Sequence, residues 1–391
     1  MHSRSTIRFL VAVAMGAWGL SAVAAPGVTA DSLVFGQSAC FSGPNQRLGI
    51  DYRSGILAAF EERNAAGGVD GRRLELIALD DGYEPENAAR NADRFVSEDD
   101  VLAVVGGVGT PTAARIAPVL RTAGIPFVGH VTGADFLRDA ERFPNVINLR
   151  ASYLEEVRVH VDHMVGEFGL RRLGIIYQDD AFGRSVLRSY LAALSEHDIP
   201  LLAKTSYSRN THAVHASLFA LAKADLEAIL LVGTYAANTE IMDLAHSLGL
   251  DYLMANLSFS LSYELRRRVD APSDRIFVTE VVPSPHEEGS ALAASFRRAM
   301  EARAAAGGES VLNELALEGY LLGRYLVSTL ERMGEDLTRA AFMAHVIPSD
   351  AVDIDDWTVA FAPGSNAGST YVRLTRLGAE SGVPGVGRGG P

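Results

Sequence analysis

Three groups of side chains in this 391-residue chain have the types and spacing to do chemistry. His212 and His215 form an H-x-x-H pair at the start of an expected helix. A metal site needs further ligands nearby, and the sequence offers none, so a solvated helix face accounts for the pair. Asp80-Asp81 and Asp179-Asp180 are paired carboxylates directly after strands. Neighbouring loop residues seldom converge on one substrate atom, so these are expected to accept hydrogen bonds from loop amides and helix N-termini rather than to run acid/base chemistry. Cys40 is the single cysteine, so no internal disulfide is available to it. It sits in a loop near the first strand, where a small packed residue is the expectation. The dinucleotide spacing G-x-G-x-x-G is missing after that strand, where Gly36-Gln37-Ser38 stands, and neither a phosphate-gripping loop nor a G-x-S-x-G elbow occurs. With no nucleophile–base pair and no metal cluster, neither catalysis nor a cofactor or metal is expected.

The remaining polar residues of interest lie in loops, and the loops are ordered by the elements around them. Apolar runs of strand length alternate with amphipathic helices nearly to the end of the chain. Runs such as VLAVVGG and AILLVG suit parallel strands covered on both faces. Strands are expected at 33–38, 74–79, 101–106, 126–129, 146–149, 172–177, 201–206, 228–233, 252–256 and 275–280. Helices are expected at 46–65, 85–97, 111–123, 153–169, 182–196, 212–223, 237–248, 260–268, 290–306, 312–333 and 337–346. About ten parallel strands would strain one twisted sheet, so two α/β lobes fit better. In open α/β sheets, ligands sit outside the carboxyl ends of the strands, where helix N-termini offer unpaired amides. Six loops stand at those positions, 38–43, 107–112, 130–134, 178–183, 233–236 and 256–259, and several of them carry small hydroxyl residues. Together they make the case for a cleft lined by both lobes.

Composition narrows the setting. The formal charge is −13 with 35 Lys and Arg against 48 Asp and Glu. No basic stripe stands out, which argues against nucleic acid as a partner. His2, Arg4 and Arg8, then the apolar run Phe9–Leu20, then Ala22-Val23-Ala24 read as a cleavable export signal over residues 1–25. No later run is long and apolar enough to span a bilayer, so the chain is not expected to be membrane-embedded. The final residues, 379–391, are rich in Gly and Pro and are expected to be disordered.

The loops and turns also carry a resemblance. GQSACFSGP, NAAGGVDGRRLEL, DDGYEPENAA, VGGVGTPTA, AGIPFVGHVTGA, NLRASY, YQDDAFG, SYSRNTHAV, VGTYAANTEIM, EGYLLGRYLV and FAPGSNAGSTYVRLTR follow one another from about residue 32 to 376. In kind and order they resemble the type I periplasmic binding proteins, in the branch of leucine/isoleucine/valine-binding proteins of ABC importers. The resemblance implies an α/β fold of two doubly wound parallel-sheet lobes joined by a three-crossover hinge. It divides the chain into 31–150 plus 281–347 and 151–280 plus 348–378, with the final strand TYVRLTR beside the second lobe. It implies a periplasmic protein that closes on a small-molecule ligand without altering it and hands it to an inner-membrane ABC permease. A ligand sensor for a membrane receptor or kinase is the second reading, and an exported enzyme the third.

By the same resemblance, Thr110 is the hydroxyl that grips a ligand carboxylate at a helix start. Val131, Thr132 and Gly133 supply backbone and hydroxyl contacts, and Phe182 and Tyr235 are the aromatic positions. Cys40, Phe41 and Ser258 complete the expected ligand-binding set. One departure from the family matters. Amino-acid binders place an acidic residue after the strand near 252–256 to pair with the ligand ammonium. Here Leu257, Ser258 and Phe259 stand there, and Glu264 is further on. Phe182 replaces a common Tyr, and the position near Leu48 that can hold an aromatic is aliphatic. A ligand less polar than an amino acid is therefore expected (an aromatic or aliphatic carboxylate, an amide or a lipid-like molecule), with branched-chain amino acids as the alternative.

Overall fold

The computed structural model describes residues 25–378 together with Gly387 and Arg388. The expected export signal lies outside these residues except for Ala25. Strands β1 (Ser32–Ala39), β2 (Arg73–Asp80), β3 (Ala103–Val105), β4 (Phe127–Val128) and β5 (Val146–Ile147) form one sheet in the order β2-β1-β3-β4-β5, all parallel. A second sheet contains β6 (Leu173–Gln178), β7 (Leu201–Tyr207), β8 (Ala228–Val232), β9 (Leu253–Asn256) and β10 (Ile276–Glu280), parallel in the order β7-β6-β8-β9-β10. All five residues of β8, AILLV, are buried, which is what a strand covered on both faces requires. Between β10 and the end of the described chain lie a hairpin of β11 (Val352–Ile354) with β12 (Trp357–Val359), then β13 (Val372–Arg376). Strand β13 runs antiparallel along β10 and extends the second sheet.

Helices α1 (Gln46–Ala65), α2 (Pro85–Ser97) and α3 (Thr110–Thr122) connect strands of the first sheet. Helices α4 (Tyr153–Val161), α5 (Ala181–Ser195), α6 (His215–Leu221), α7 (Tyr235–Ser247) and α8 (Ser262–Arg268) accompany the second. The last three, α9 (Ala291–Ala305), α10 (Glu314–Met333) and α11 (Arg339–Val346), return to the first sheet. Phe342 of α11 faces Phe35 of β1 at 6.5 Å. Helix α10 lies against α1 so closely that side chains are excluded: a Cβ on Gly55 would sit 1.9 Å from the Ala316 carbonyl oxygen, and one on Gly319 2.2 Å from that of Tyr52. Glycine costs helix stability in isolation, but it lets two backbones meet. The chain thus passes between the two lobes three times: between β5 and α4, between β10 and α9, and between α11 and β13.

Three elements depart from expectation. The helix expected over 153–169 is α-helical only to Val161 and continues as a π-helical turn, Asp162–Glu167. The helix expected over 260–268 is split, because Leu261 at φ 54° separates a 3₁₀ turn, Ser258–Ser260, from α8. In the tail expected to be disordered, Gly387 and Arg388 form strand β14 against Arg373 and Val372, using the otherwise open edge of β13. The rest of that tail lies outside the described residues.

Candidate functional site

Thr110 is the first residue of α3, behind Gly109 at φ 99°. Thr132 lies in the loop after β4. Tyr153 is the first residue of α4, behind a capping box in which Ser152 and Glu155 satisfy each other's amides. The three hydroxyls form a triangle: Thr110 to Thr132 2.7 Å, Thr110 to Tyr153 3.0 Å and Thr132 to Tyr153 3.2 Å. All three side chains are buried. The loops beneath them are joined by main-chain bonds, Val131 N donating to Gly107 O at 2.8 Å and Gly109 N to Val131 O at 3.2 Å. The Thr132 amide donates to His130 O, and the Gly133 carbonyl accepts the Tyr153 amide, both at 2.8 Å. The amides of Val131 and Thr132 are therefore engaged within the protein, and the Thr132 hydroxyl is what this loop brings to the group. His130 supports the same turn, its Nε2 lying 2.8 Å from Gly109 O. Burial lowers its pKa to about 3, so the ring is neutral.

Four aromatic rings stand beside the triangle. Tyr153 meets Phe182 at 5.3 Å, Phe182 meets Phe259 at 4.8 Å, and Phe259 meets Tyr83 at 6.1 Å between centroids. Such spacings are those of favourable tilted ring pairs. Phe182 is set by the start of α5, where Asp180 accepts the amides of Phe182 and Gly183. Phe259 comes from the 3₁₀ turn after β9. Tyr83 holds a left-handed backbone, φ 63°, in the loop after β2, and its ring fills the space that a Cβ on Gly109 would need. Its hydroxyl takes a long bond, 3.4 Å, from the Gln178 side chain of the second lobe.

The paired carboxylates do hydrogen-bonding work. Asp80 accepts the amides of Phe41 and Gly82, and Asp179 pairs with Arg184. Asp81 is buried and accepts the Ser38 hydroxyl and the Tyr83 amide, both at 2.8 Å. Burial raises its pKa to about 7, with Asp80 and Glu84 adding to the effect.

The other expected residues are placed differently. Cys40 is fully buried, its thiol 3.3 Å from Asn45 O, and burial pushes that thiol far above the ordinary range. Phe41 is turned to the guanidinium of Arg53, 4.1 Å over its ring. Tyr235 donates to the Pro44 carbonyl in the other lobe. Ser258 receives one bond from Arg150 Nη2, and its amide donates to Glu156. Glu264 is held by Arg267 and Arg268 of its own helix.

The lobes touch along the rims of this cleft. Asn45 donates to Asn210 at 2.8 Å, Glu84 pairs with Arg209 and accepts from Asn210, and Asp135 accepts from Ser185 at 3.0 Å. At the hinge end, Arg150 is buried between Ser258 of one lobe and Glu318 of α10 in the other, 3.6 Å from the latter. Burial opposes its charge, but Glu318 and Glu156 outweigh that and hold its pKa above the usual arginine value.

Sequence reasoning missed Tyr83, Tyr153 and Arg150. Tyr153 and Arg150 lie within the word NLRASY, and the Ser152–Glu155 capping signature marks a helix start that presents its first residue to the cleft. Tyr83 carries no comparable signal, since a Tyr in an acidic turn reads as surface.

The periplasmic binding protein family model matches residues 32–367. A solved structure from Rhodopirellula baltica, described as a possible leucine/isoleucine/valine-binding protein, is 34% identical with a TM-score of 0.84 and covers 90% of this chain and 95% of its own. An amino acid binding protein of Pseudomonas aeruginosa is 27% identical over 165 residues, 42% of this chain and 44% of the relative. Leu/Ile/Val-binding protein homolog 7 of Brucella abortus is 26% identical over 226 residues, 56% of each. The chain thus spans about half the length of these two relatives. The family match over most of the sequence, together with two parallel-sheet lobes crossed three times by the chain, shows that this protein belongs to the periplasmic binding proteins of type I architecture.

Proposed function

We propose that this protein captures a small ligand between its lobes in the periplasm and delivers it to an ABC import permease, and that the ligand is a carboxylate or amide less polar than an α-amino acid. The observation that carries the reading is the pairing of a hydroxyl triangle, Thr110–Thr132–Tyr153, with a wall of four aromatic rings. The Thr110 hydroxyl at the start of α3, where the helix dipole is positive, suits an anionic or carbonyl oxygen. Aromatic rings suit a flat or branched apolar body. The segment expected to hold an acidic partner for an ammonium holds Leu257, Ser258 and Phe259 instead, and the Phe259 ring joins the wall. Burying an ammonium without a carboxylate would be costly.

The likeness to leucine/isoleucine/valine-binding proteins favours a second reading, branched-chain amino acids. Calorimetry separates the two. Leucine, isoleucine and valine are compared with 4-methylpentanoate, which is leucine without its amino group, and with benzoate and phenylacetate. Micromolar binding among the carboxylates and none among the amino acids is expected. Micromolar binding of any of the three amino acids overturns the less polar ligand and leaves the amino-acid reading.

A further inference from the structure

A cavity of about 850 Å³ lies where the three crossing segments come together, and none of Thr110, Thr132, Phe182, Tyr235 or Phe259 lines it. Arg138 and Glu155 face it from either side of the first crossing, Glu287 and Glu288 from the second, and Trp357 and Tyr371 from the third. Its volume is that of a small-molecule site. Trp357 and Tyr371 pack edge to face at 5.0 Å. Trp357 is only 8% exposed, yet its indole N–H has no hydrogen-bond partner among the described residues. A buried donor of this kind is normally satisfied.

The charges around the cavity favour one sign of occupant. Arg138 directs its guanidinium to the carbonyl oxygens of Ala134 and Arg150, at 3.0 and 2.8 Å. Glu155 has one oxygen on the Ser152 amide. Glu287 and Glu288 are exposed at the rim. Three glutamates therefore face a cavity whose one arginine is turned to main-chain oxygens. Carboxylates beside indole and phenol rings are the surroundings in which a cation is held both by charge and by ring faces.

We propose that this cavity is a second binding site, for a small organic ammonium with an apolar or aromatic body, coupled to lobe closure. The coupling follows from the walls. An occupant touches all three segments that connect the lobes, so it binds the open and closed arrangements with different affinity. Any such difference is felt reciprocally by a ligand in the cleft.

Fluorescence tests the site directly, because the sequence has two tryptophans, Trp18 and Trp357. Emission of the full chain minus that of a Trp357→Phe chain reports the cavity. The probes are phenethylamine, tyramine, choline and spermidine, with phenylacetate as the anionic counterpart. A saturable change with at least one cation is expected. It should be at least tenfold weaker in affinity in a Glu287→Gln/Glu288→Gln chain, whose altered residues are exposed, and should remain saturable in Thr110→Val. Absence of saturation with all four cations overturns the proposal. So does a titration unaffected by the double substitution, or one abolished by Thr110→Val, which would put the cation in the cleft.

Discussion

The hydroxyl of Tyr235 donates to the carbonyl oxygen of Pro44 at 2.8 Å, so the first residue of α7 is tied to the loop that leads into α1. The Tyr235 hydroxyl oxygen in turn accepts a longer bond, 3.4 Å, from the Arg47 amide. Arg268 lies 4.8 Å over the ring and keeps it in place. The bond joins two lobes, so it exists only while they are together. Tyr235→Phe keeps the ring and removes the bond. It should speed ligand dissociation and weaken affinity by about 0.5–1.5 kcal/mol, with the melting temperature of the ligand-free protein unchanged. Stopped-flow dissociation measures this, and an unaltered off-rate would rule out the latch.

Thr110 is the shared corner of the hydroxyl triangle. Thr110→Val preserves shape and leaves Thr132 and Tyr153 able to bond each other. The affinity of the best carboxylate from the calorimetric panel should fall by about 1–3 kcal/mol, the cost of leaving a buried polar partner unsatisfied. An affinity within twofold of the parent would put that carboxylate elsewhere.

Arg150 neutralises carboxylates that burial disfavours. Arg150→Met leaves Glu318 and Glu156 buried without it. Removing one member of a buried charge set costs about 3–5 kcal/mol. Urea denaturation of the ligand-free chain should show a loss of that order, while Ser258→Ala, which removes one bond to the same guanidinium, should lose about 1 kcal/mol. Equal effects of the two substitutions would contradict the assignment.

Acidity should act through Asp81. Its folded-state pKa is raised to about 7, against about 3.9 in an unfolded chain. Between those values the folded protein holds a proton that the unfolded chain has released. The contribution of Asp81 is therefore complete below about pH 4 and is lost as pH rises to about 7. Asp51, raised by burial to about 6, acts in the same sense. His130 and His160 are lowered by burial to about 3 and 4 and act oppositely, favouring the fold as pH rises towards about 6.5. The informative quantity is therefore a difference. The stability of the parent relative to Asp81→Asn should decline steadily from about pH 4 to about pH 7, and a flat difference would show that Asp81 titrates normally.

The sheets were the most legible part of the molecule, for a physical reason. A strand buried on both faces must be apolar throughout, so runs such as AILLV announce themselves. The loops after those strands could be placed from the same pattern. What they do in detail could not. Tyr235 and Ser258 were expected to meet a ligand, but their first partners are Pro44 and Arg150, chosen by the approach of one lobe to the other. Tyr83 was missed because its role depends on a left-handed backbone and on the bare Cα of Gly109, 26 residues away by number. The break at Leu261 was missed because an aliphatic residue gives no warning of a positive φ.

The bare seam between α1 and α10 also governs how the molecule is made. Asn313 at the start of α10 donates to Asp51 across 262 positions of chain. Until that late helix emerges, α1 has nothing against which to lay its glycine-bearing flank. The first-made half must wait for the last third to arrive, a long loop closure that delays assembly. An unfinished chain leaves an uncovered helix open to proteases, a vulnerability that ends only once residues near 333 are in place.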